Sequence, residues 1–330
     1  MRAPGGTRSI PKGCTCSCRQ SKERETDMGR VLVLGNAGLD LTLRLPRLPL
    51  KGETLLGDST GRAPGGKGLN QAVAGVRTGV PVVFHTPVGH DAQAEEIEAA
   101  LKAEGFAGLE LHRMPNASDF SLLMVLPDGE NSIASAGSCA AAFTAAMAQT
   151  VGATAVPGDV MVVQGNLTSA STEATLIEAS DRGAITLFNP APLWWDVDPL
   201  LPYCDIVVVN RGEAQTITGR SEPAEAAADL CDRGARFAVV TLGADGCLTL
   251  DGGRLHQYPA PVIEAVDTTG CGDTFCGVLA AMLAGGRDRE AAVALAQRAA
   301  ALTAQRPGAF AALPNRAEFA ALVALYDAGQ

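Results

Sequence analysis

From Val31 onward, short apolar runs alternate with stretches whose apolar residues recur at helical spacing, and few folds accommodate that rhythm. The apolar runs cover 31–34, 80–84, 160–163, 185–188, 206–209 and 237–241, with helical patterns at 68–76, 92–103, 172–182 and 224–233. Such alternation predicts a parallel sheet with helices packed on both faces. No Pro/Ser-rich linker divides the region, which predicts one domain over 28–330. Two segments break the rhythm. Residues 39–62 read as short strands interrupted by prolines. Residues 119–136 read as a hairpin whose strands flank Pro127-Asp128-Gly129-Glu130. Both predict a small β-lid at the open edge of the sheet, able to keep water from a reacting group.

The strand ends are small or amide-rich. They read Gly35-Asn36, Gln164-Gly165-Asn166, Asn189-Pro190, Asn210 and Leu242-Gly243. Open α/β sheets bind ligands at the carboxyl ends of their strands, so these residues locate a site without naming it. The most informative stretch is Asp267-Thr268-Thr269-Gly270-Cys271-Gly272-Asp273. It follows a strand-like run at 262–266 and precedes a helix marked by Phe275, Val278, Leu279, Met282 and Leu283. Backbone amides and the positive helix end there would suit an anion. A carboxylate beside a bound phosphate has an economical role as the base that deprotonates an attacking hydroxyl. A Gly-rich turn capped by Asp is the plainer alternative.

Gly65-Gly66-Lys67-Gly68-Leu69-Asn70-Gln71 precedes a helix, and Lys67 and Asn70 offer donors to hydroxyls; a structural turn is again the alternative. The preceding G-x₄-G-K is not a phosphate-binding P-loop, because Gly68 stands where a hydroxyl must meet Mg²⁺. Asn210 and Glu213, three apart at a helix start, could order the water shell of Mg²⁺ or simply form a capping box. No G-x-G-x-x-G follows the first strand, which removes the main support for a dinucleotide fold. His85, His90, His112 and His256 lack metal spacing.

A formal net charge of −10 argues against general nucleic-acid binding. No apolar run has the length of a membrane span, and the start lacks the apolar core of a signal peptide. Nine scattered cysteines fit reduced thiols in a cytoplasmic compartment. Residues 1–27 read as a disordered extension or misassigned start, and Cys14, Cys16 and Cys18 lack the pairing of a zinc site.

Two signatures together, Gly-Gly-Lys-Gly-x-Asn at 65–70 and Asp-Thr-x-Gly-x-Gly-Asp at 267–273, resemble the ribokinase-like, or phosphofructokinase B-type, family of carbohydrate kinases. Asn189-Pro190-Ala191-Pro192, Asn210-x-x-Glu213 and Thr241-Leu242-Gly243 stand in the expected order, and the branch most similar is that of ribokinase. The resemblance spans about 29–320. It implies a three-layer αβα sandwich with a mostly parallel sheet and a β-lid, and a homodimer joined through that lid. It further implies ATP- and Mg²⁺-dependent phosphorylation of a sugar or nucleoside hydroxyl, with Asp273 as base and Gly270, Cys271 and Gly272 as anion hole. The acceptor would meet Gly38, Asp40, Gly66, Lys67, Asn70 and Asn166. ATP would meet Asn210, Glu213, Thr241, Gly243, Gly246, Gly272 and Gln297, with Mg²⁺ held through water by Asn210 and Glu213. A K⁺ site would draw on Asp267, Thr269, Thr303, Arg306, Gly308 and Ala312. Three positions depart from the family pattern. Gly38 replaces an Asn, removing an amide and leaving space, Asn166 replaces a Glu, and Cys271 replaces an Ala. A nucleoside kinase on the same scaffold, and a non-catalytic sugar-binding or regulatory protein, are the rival readings.

Overall fold

The computed structural model describes residues 28–127 and 131–329, so the 1–27 extension and the tip of the predicted hairpin lie outside the described residues. Nine strands form the main sheet: β1 (Val31–Leu34), β4 (Val82–Val88), β5 (Gly108–Arg113), β8 (Val160–Gln164), β9 (Ile185–Asn189), β10 (Ile206–Asn210), β11 (Phe237–Thr241), β12 (Cys247–Asp251) and β13 (Arg254–Tyr258). Their order is β13-β12-β11-β10-β9-β8-β1-β4-β5, parallel from β5 to β11 and antiparallel at β12 and β13. The central strands lack polar alternation because both faces are covered. Val31 and Val33 join one core, with helices α1 (Lys67–Val76), α2 (Ala92–Lys102), α8 (Cys271–Ala284), α9 (Arg289–Ala304) and α10 (Arg316–Ala328). Leu32 and Leu34 join the other, with α3 (Ser138–Ala142), α4 (Ala145–Gly152), α5 (Ser169–Asp181), α6 (Arg211–Thr218) and α7 (Pro223–Asp232).

The chain runs outward from β1 to β4 and β5, then returns to β8 and continues in the opposite direction. Connections therefore diverge after β1 and β8, and that is where a crevice opens in a sheet of this kind. Over it lies a second sheet, β3-β2-β6-β7, made of β2 (Gly38–Arg44), β3 (Asp58–Gly65), β6 (Asp119–Val125) and β7 (Asn131–Ala136). These strands lie in the two segments that broke the sequence rhythm, except that β2 starts one residue earlier and β3 runs on to Gly65.

One expected element is absent. Residues 262–266 form no strand, and Val262 and Val266 are exposed. The amides of Val266 and Asp267 instead donate to the carbonyl of Ala304 in α9. The apolar character of this segment comes from lining a cavity, where Ala260, Pro261, Val262, Ile263 and Ala265 form one wall.

Candidate active site

Helices need partners for their first amides, and side chains usually supply them. Here Asp91, Thr144, Thr168, Asp288 and Asn315 cap α2, α4, α5, α9 and α10. The two helices that open on the crevice, α1 and α8, begin at Gly66 and Gly270; in α1 the amides of Gly68 and Leu69 donate to the Asn36 side chain and carbonyl, whereas Gly270 gives α8 no side-chain cap. Gly270 holds φ at 80°, a turn that most side chains resist. A Cβ at Gly272 would meet nothing within 4 Å, so the backbone at the start of α8 faces open space. Uncapped amides beside such space are suited to an anion.

Two cavities meet at this turn. One, of about 330 Å³, is lined by Gly38, Asp40, Gly66, Lys67, Asn70, Asn166, Thr269, Gly270 and Asp273 together with lid residues. The other, of about 420 Å³, is lined by Thr241, Gly243, Gly246, Cys271, Gly272 and Gln297. The first turn of α8 is thus a shared wall, with Asp273 on one side and Cys271 and Gly272 on the other. Burial pushes the Cys271 thiol up to about 11, so it stays protonated and adds no charge.

Asp273 is buried and held from several sides. Asn70 Nδ2 donates to its Oδ2 (3.2 Å), Gln71 Nε2 donates to its Oδ1 (3.1 Å), and Lys67 Nζ lies 3.7 Å from Oδ1. Lys67, Asn70 and Gln71 share one helical face at i, i+3 and i+4. They reach Asp273 because α1 and α8 cross closely. A Cβ on Gly277, one turn beyond Asp273, would lie 2.2 Å from the Gln71 carbonyl. The Asp273 charge holds the Lys67 ammonium above its ordinary range, against the opposing effect of burial.

Behind Asp273 runs a buried amide relay. Gln71 Nε2 also donates to Asn189 Oδ1 (3.1 Å), Asn189 Nδ2 donates to the Val208 carbonyl (2.9 Å), and Gln164 Nε2 donates to Gln71 Oε1 (2.9 Å). The amide residues at the strand ends thus brace the carboxylate. Sequence reasoning gave Gln71 no role, although its spacing from Lys67 was a usable signal.

Across the cavity, burial and then the nearby Asp273 charge raise Asp40 to about 6, with a Ser121 hydrogen bond opposing. Asn70 Oδ1 and Asn166 Oδ1 are buried without a partner in the protein. Orphaned acceptors of this kind are the points at which ligand hydroxyls would donate. Gly38 departs from expectation. A Cβ there would lie 2.6 Å from the Asp119 carbonyl, because β2 packs directly on β6. The glycine leaves no vacant volume on that side. Sequence reasoning also missed Phe120, Leu123, Ile133 and Trp194, which line the same cavity.

Asn210 and Glu213 line neither cavity, and the capping box is present: Asn210 Oδ1 accepts from the Glu213 amide and Glu213 Oε2 from the Asn210 amide, both at 2.8 Å. Burial raises Glu213, with the Asn210 amide and the Lys67 charge opposing. Gln297 is bonded within the protein, accepting from Cys247 Sγ (3.2 Å) and donating to the Tyr258 carbonyl (3.3 Å). At the proposed cation site, Asp267 accepts from the amides of Thr269 (2.9 Å) and Gly308 (2.8 Å), tying the loop before α8 to the loop after α9. Thr303 Oγ1 lies 2.8 Å from Thr274 Oγ1, Arg306 pairs with Glu318, and Ala312 is fully buried.

Two cavities that meet at an uncapped helix start carrying a carboxylate suit the passage of an anionic group from one bound molecule to another. The family model described as "pfkB family carbohydrate kinase" matches residues 28–316, and the chain belongs to this family. It is 32% identical over 270 residues to ribokinase from Mus musculus, covering 79% of this chain and 84% of the mouse protein. Among solved structures, ribokinase from Thermotoga maritima superposes with a TM-score of 0.80 at 25% identity, covering 90% of this chain and 99% of that one. Ribokinase from Arabidopsis thaliana, complexed with ribose and ATP, superposes at 0.78 and 25% identity, covering 89% and 98%.

Proposed function

We propose that this carbohydrate kinase transfers the γ-phosphoryl group of ATP to a hydroxyl held against Asp273. The observation that carries the reading is the shared wall. The buried Asp273 faces the cavity with orphaned acceptors, and Cys271 and Gly272 face the cavity closed by the turn at Thr241–Gly246. The acceptor hydroxyl would donate to Asp273, with Asp40, Asn70 and Asn166 fixing the other hydroxyls. As the hydroxyl oxygen attacks phosphorus, Asp273 takes its proton, while the α8 amides and Lys67 face the growing negative charge.

Mg²⁺ would neutralise the phosphate oxygens, with Asn210 and Glu213 holding its water shell. The capping box fixes both residues at the helix start, and the Lys67 charge favours the Glu213 anion against the effect of burial. For K⁺, both Asp267 oxygens accept backbone amides and Arg306 is paired, so a cation there would rest chiefly on main-chain carbonyls. The half-buried strands β2 and β6, with Leu50 and Leu56 exposed in the loop between β2 and β3, support a second copy packed on the lid. A reducing cytoplasmic setting would keep Cys139, Cys204, Cys231, Cys247, Cys271 and Cys276 as the free thiols they are.

Replacement of Asp273 with Asn tests the assignment. Asn keeps the shape and cannot accept the proton, so turnover should fall by ~10²–10⁴ with ATP affinity near wild type. Turnover close to wild type in the folded variant would refute it.

A further inference from the structure

The acceptor cavity is better supplied with hydrogen-bond acceptors than with donors. Asp40, Asp273, Asn70 and Asn166 all line it, and the Oδ1 atoms of Asn70 and Asn166 have no partner in the protein. The amide nitrogen of Asn70 and the ammonium of Lys67 are both turned to Asp273. A sugar hydroxyl that donates to one of these oxygens still carries lone pairs that call for a donor. Position 38 cannot supply one, because a Cβ there would lie 2.6 Å from the Asp119 carbonyl.

Asn36, at the end of β1, lines the same cavity and carries an amide. Helix α1 starts directly on that strand end: a Cβ on Gly68 would lie 2.6 Å from the Gly35 Cα and 2.7 Å from the Asn36 nitrogen. The Asn36 carbonyl accepts from the Leu69 amide (3.0 Å), and Oδ1 accepts from the Gly68 amide (3.3 Å). A backbone N–H only donates, so the side-chain atom facing it is the oxygen, which fixes the orientation of the Asn36 amide. Nδ2 is left with no partner in the protein and is not sealed from solvent. The glycines of the turn make room for it. A Cβ on Gly66 would lie 3.0 Å from Asn36 Nδ2, and one on Gly65 would lie 2.1 Å from Asp40 Oδ2. An open donor and a carboxylate therefore stand over successive glycines.

We propose, on the kinase reading above, that Asn36 is a further substrate-binding residue whose Nδ2 donates to an oxygen of the acceptor, a contact supplied from β1 because β6 closes off position 38. The plainer role, a clip between β1 and α1, needs only Oδ1 and the carbonyl. Asn36→Asp separates the two, since a carboxylate still accepts from Gly68 and offers no donor. The probes are D-ribose, D-fructose and D-glucose, assayed by acceptor-dependent ATP consumption. For the sugar that the wild type uses best, Asn36→Asp should lower kcat/KM by about tenfold, chiefly through the KM for the sugar. The KM for ATP and the melting temperature should stay near wild type. The new charge cannot mimic this result, because it would repel the ATP polyanion before a neutral sugar. A kcat/KM within about twofold of wild type, or a KM for ATP that rises as much as the KM for the sugar, would overturn the proposal. A lower melting temperature with an unchanged KM for the sugar would also overturn it, leaving the clip as the role of Asn36. An active wild type beside an unaffected variant leaves the kinase reading standing. If none of the sugars raises ATP consumption by the wild type, the kinase reading fails and this proposal with it.

Discussion

Gln71 is the residue through which the fold most directly reaches the chemistry, and Gln71→Met is the perturbation that exposes it. Met has nearly the same length and no amide. The substitution removes the bonds to Asp273 Oδ1 and Asn189 Oδ1 and the acceptor of Gln164 Nε2. Asn189 is 7% exposed and Gln164 1%, so water has little access to the groups left behind. At ~1–3 kcal/mol for each buried group left unpaired, two such groups cost about 2–6 kcal/mol. At ~2–4 °C per kcal/mol for a domain approaching this size, the melting temperature should drop by on the order of 10 °C. Asp273 would retain Asn70 on one oxygen and Lys67 at 3.7 Å, but nothing would fix its rotation from behind. Misplacing a catalytic group by about 1 Å costs on the order of 10²-fold. Measured well below the melting point, kcat should fall by roughly ten- to a hundredfold while the KM for ATP stays near wild type. If the melting temperature falls and kcat does not, Gln71 only supports the fold and the relay has no catalytic consequence.

Three further outcomes follow from particular groups. Asp40, raised to about 6, is ionised only above that pH, so acceptor affinity measured by calorimetry should weaken as pH falls through about 6. In Asp273→Asn the neighbouring charge is gone and the transition should move to lower pH; an unmoved transition would exclude Asp40 as its source. Burial and the adjacent His112 pull His85 down to about 4, below its unfolded value of ~6.5. The unfolded chain therefore binds the proton first, and the stability from a neutral His85 is complete above ~6.5 and lost as pH falls toward 4. Melting curves of His85→Gln should be flatter over that window, and curves parallel to wild type would count against this account. Gly272→Ala adds a methyl group to open space and should raise the KM for ATP with little change in melting temperature. Gly277→Ala drives one into the Gln71 carbonyl and should cost about 1–3 kcal/mol or more. Equal thermal stability of these two variants would contradict the packing described.

The sheet and helices were legible because their apolar periodicities report burial directly, as the fully buried Val31–Leu34 shows. The glycine-led start of α8 was legible because Gly270 and Gly272 fall where apolar helical spacing begins. Residues 262–266 misled, since apolar residues that line a ligand cavity carry the same pattern as apolar residues in a strand. Gly38 misled for a related reason. A missing side chain leaves space only where no backbone moves in, and the approach of β6 is a long-range fact. Gln71, Gln164 and Asn189 each look ordinary alone. Their meaning lies in three strands and a helix brought together, which no local window contains. Trp194 was hidden by its neighbour, because nothing in a Trp-Trp pair says which ring turns inward.

One end of the lid is rooted in the body of the protein. Gly38 pairs with both Gly65 and Asp119, and Phe120 pairs with Ala136, so the strand ends nearest the body gather beside the acceptor cavity. Asp119 fastens this line by bonding the first amides of α3. The Arg62–Glu96 pair also ties β3 to α2, so a flap-like motion about this line, with displacement growing with distance from it, would require that exposed pair to yield. Asp40 and Ser121, near that axis, would keep their positions while Leu123 and Ile133 swing through a longer arc. The hydroxyl end of the acceptor would then be gripped by nearly stationary groups, and its far end would decide how completely the flap shuts.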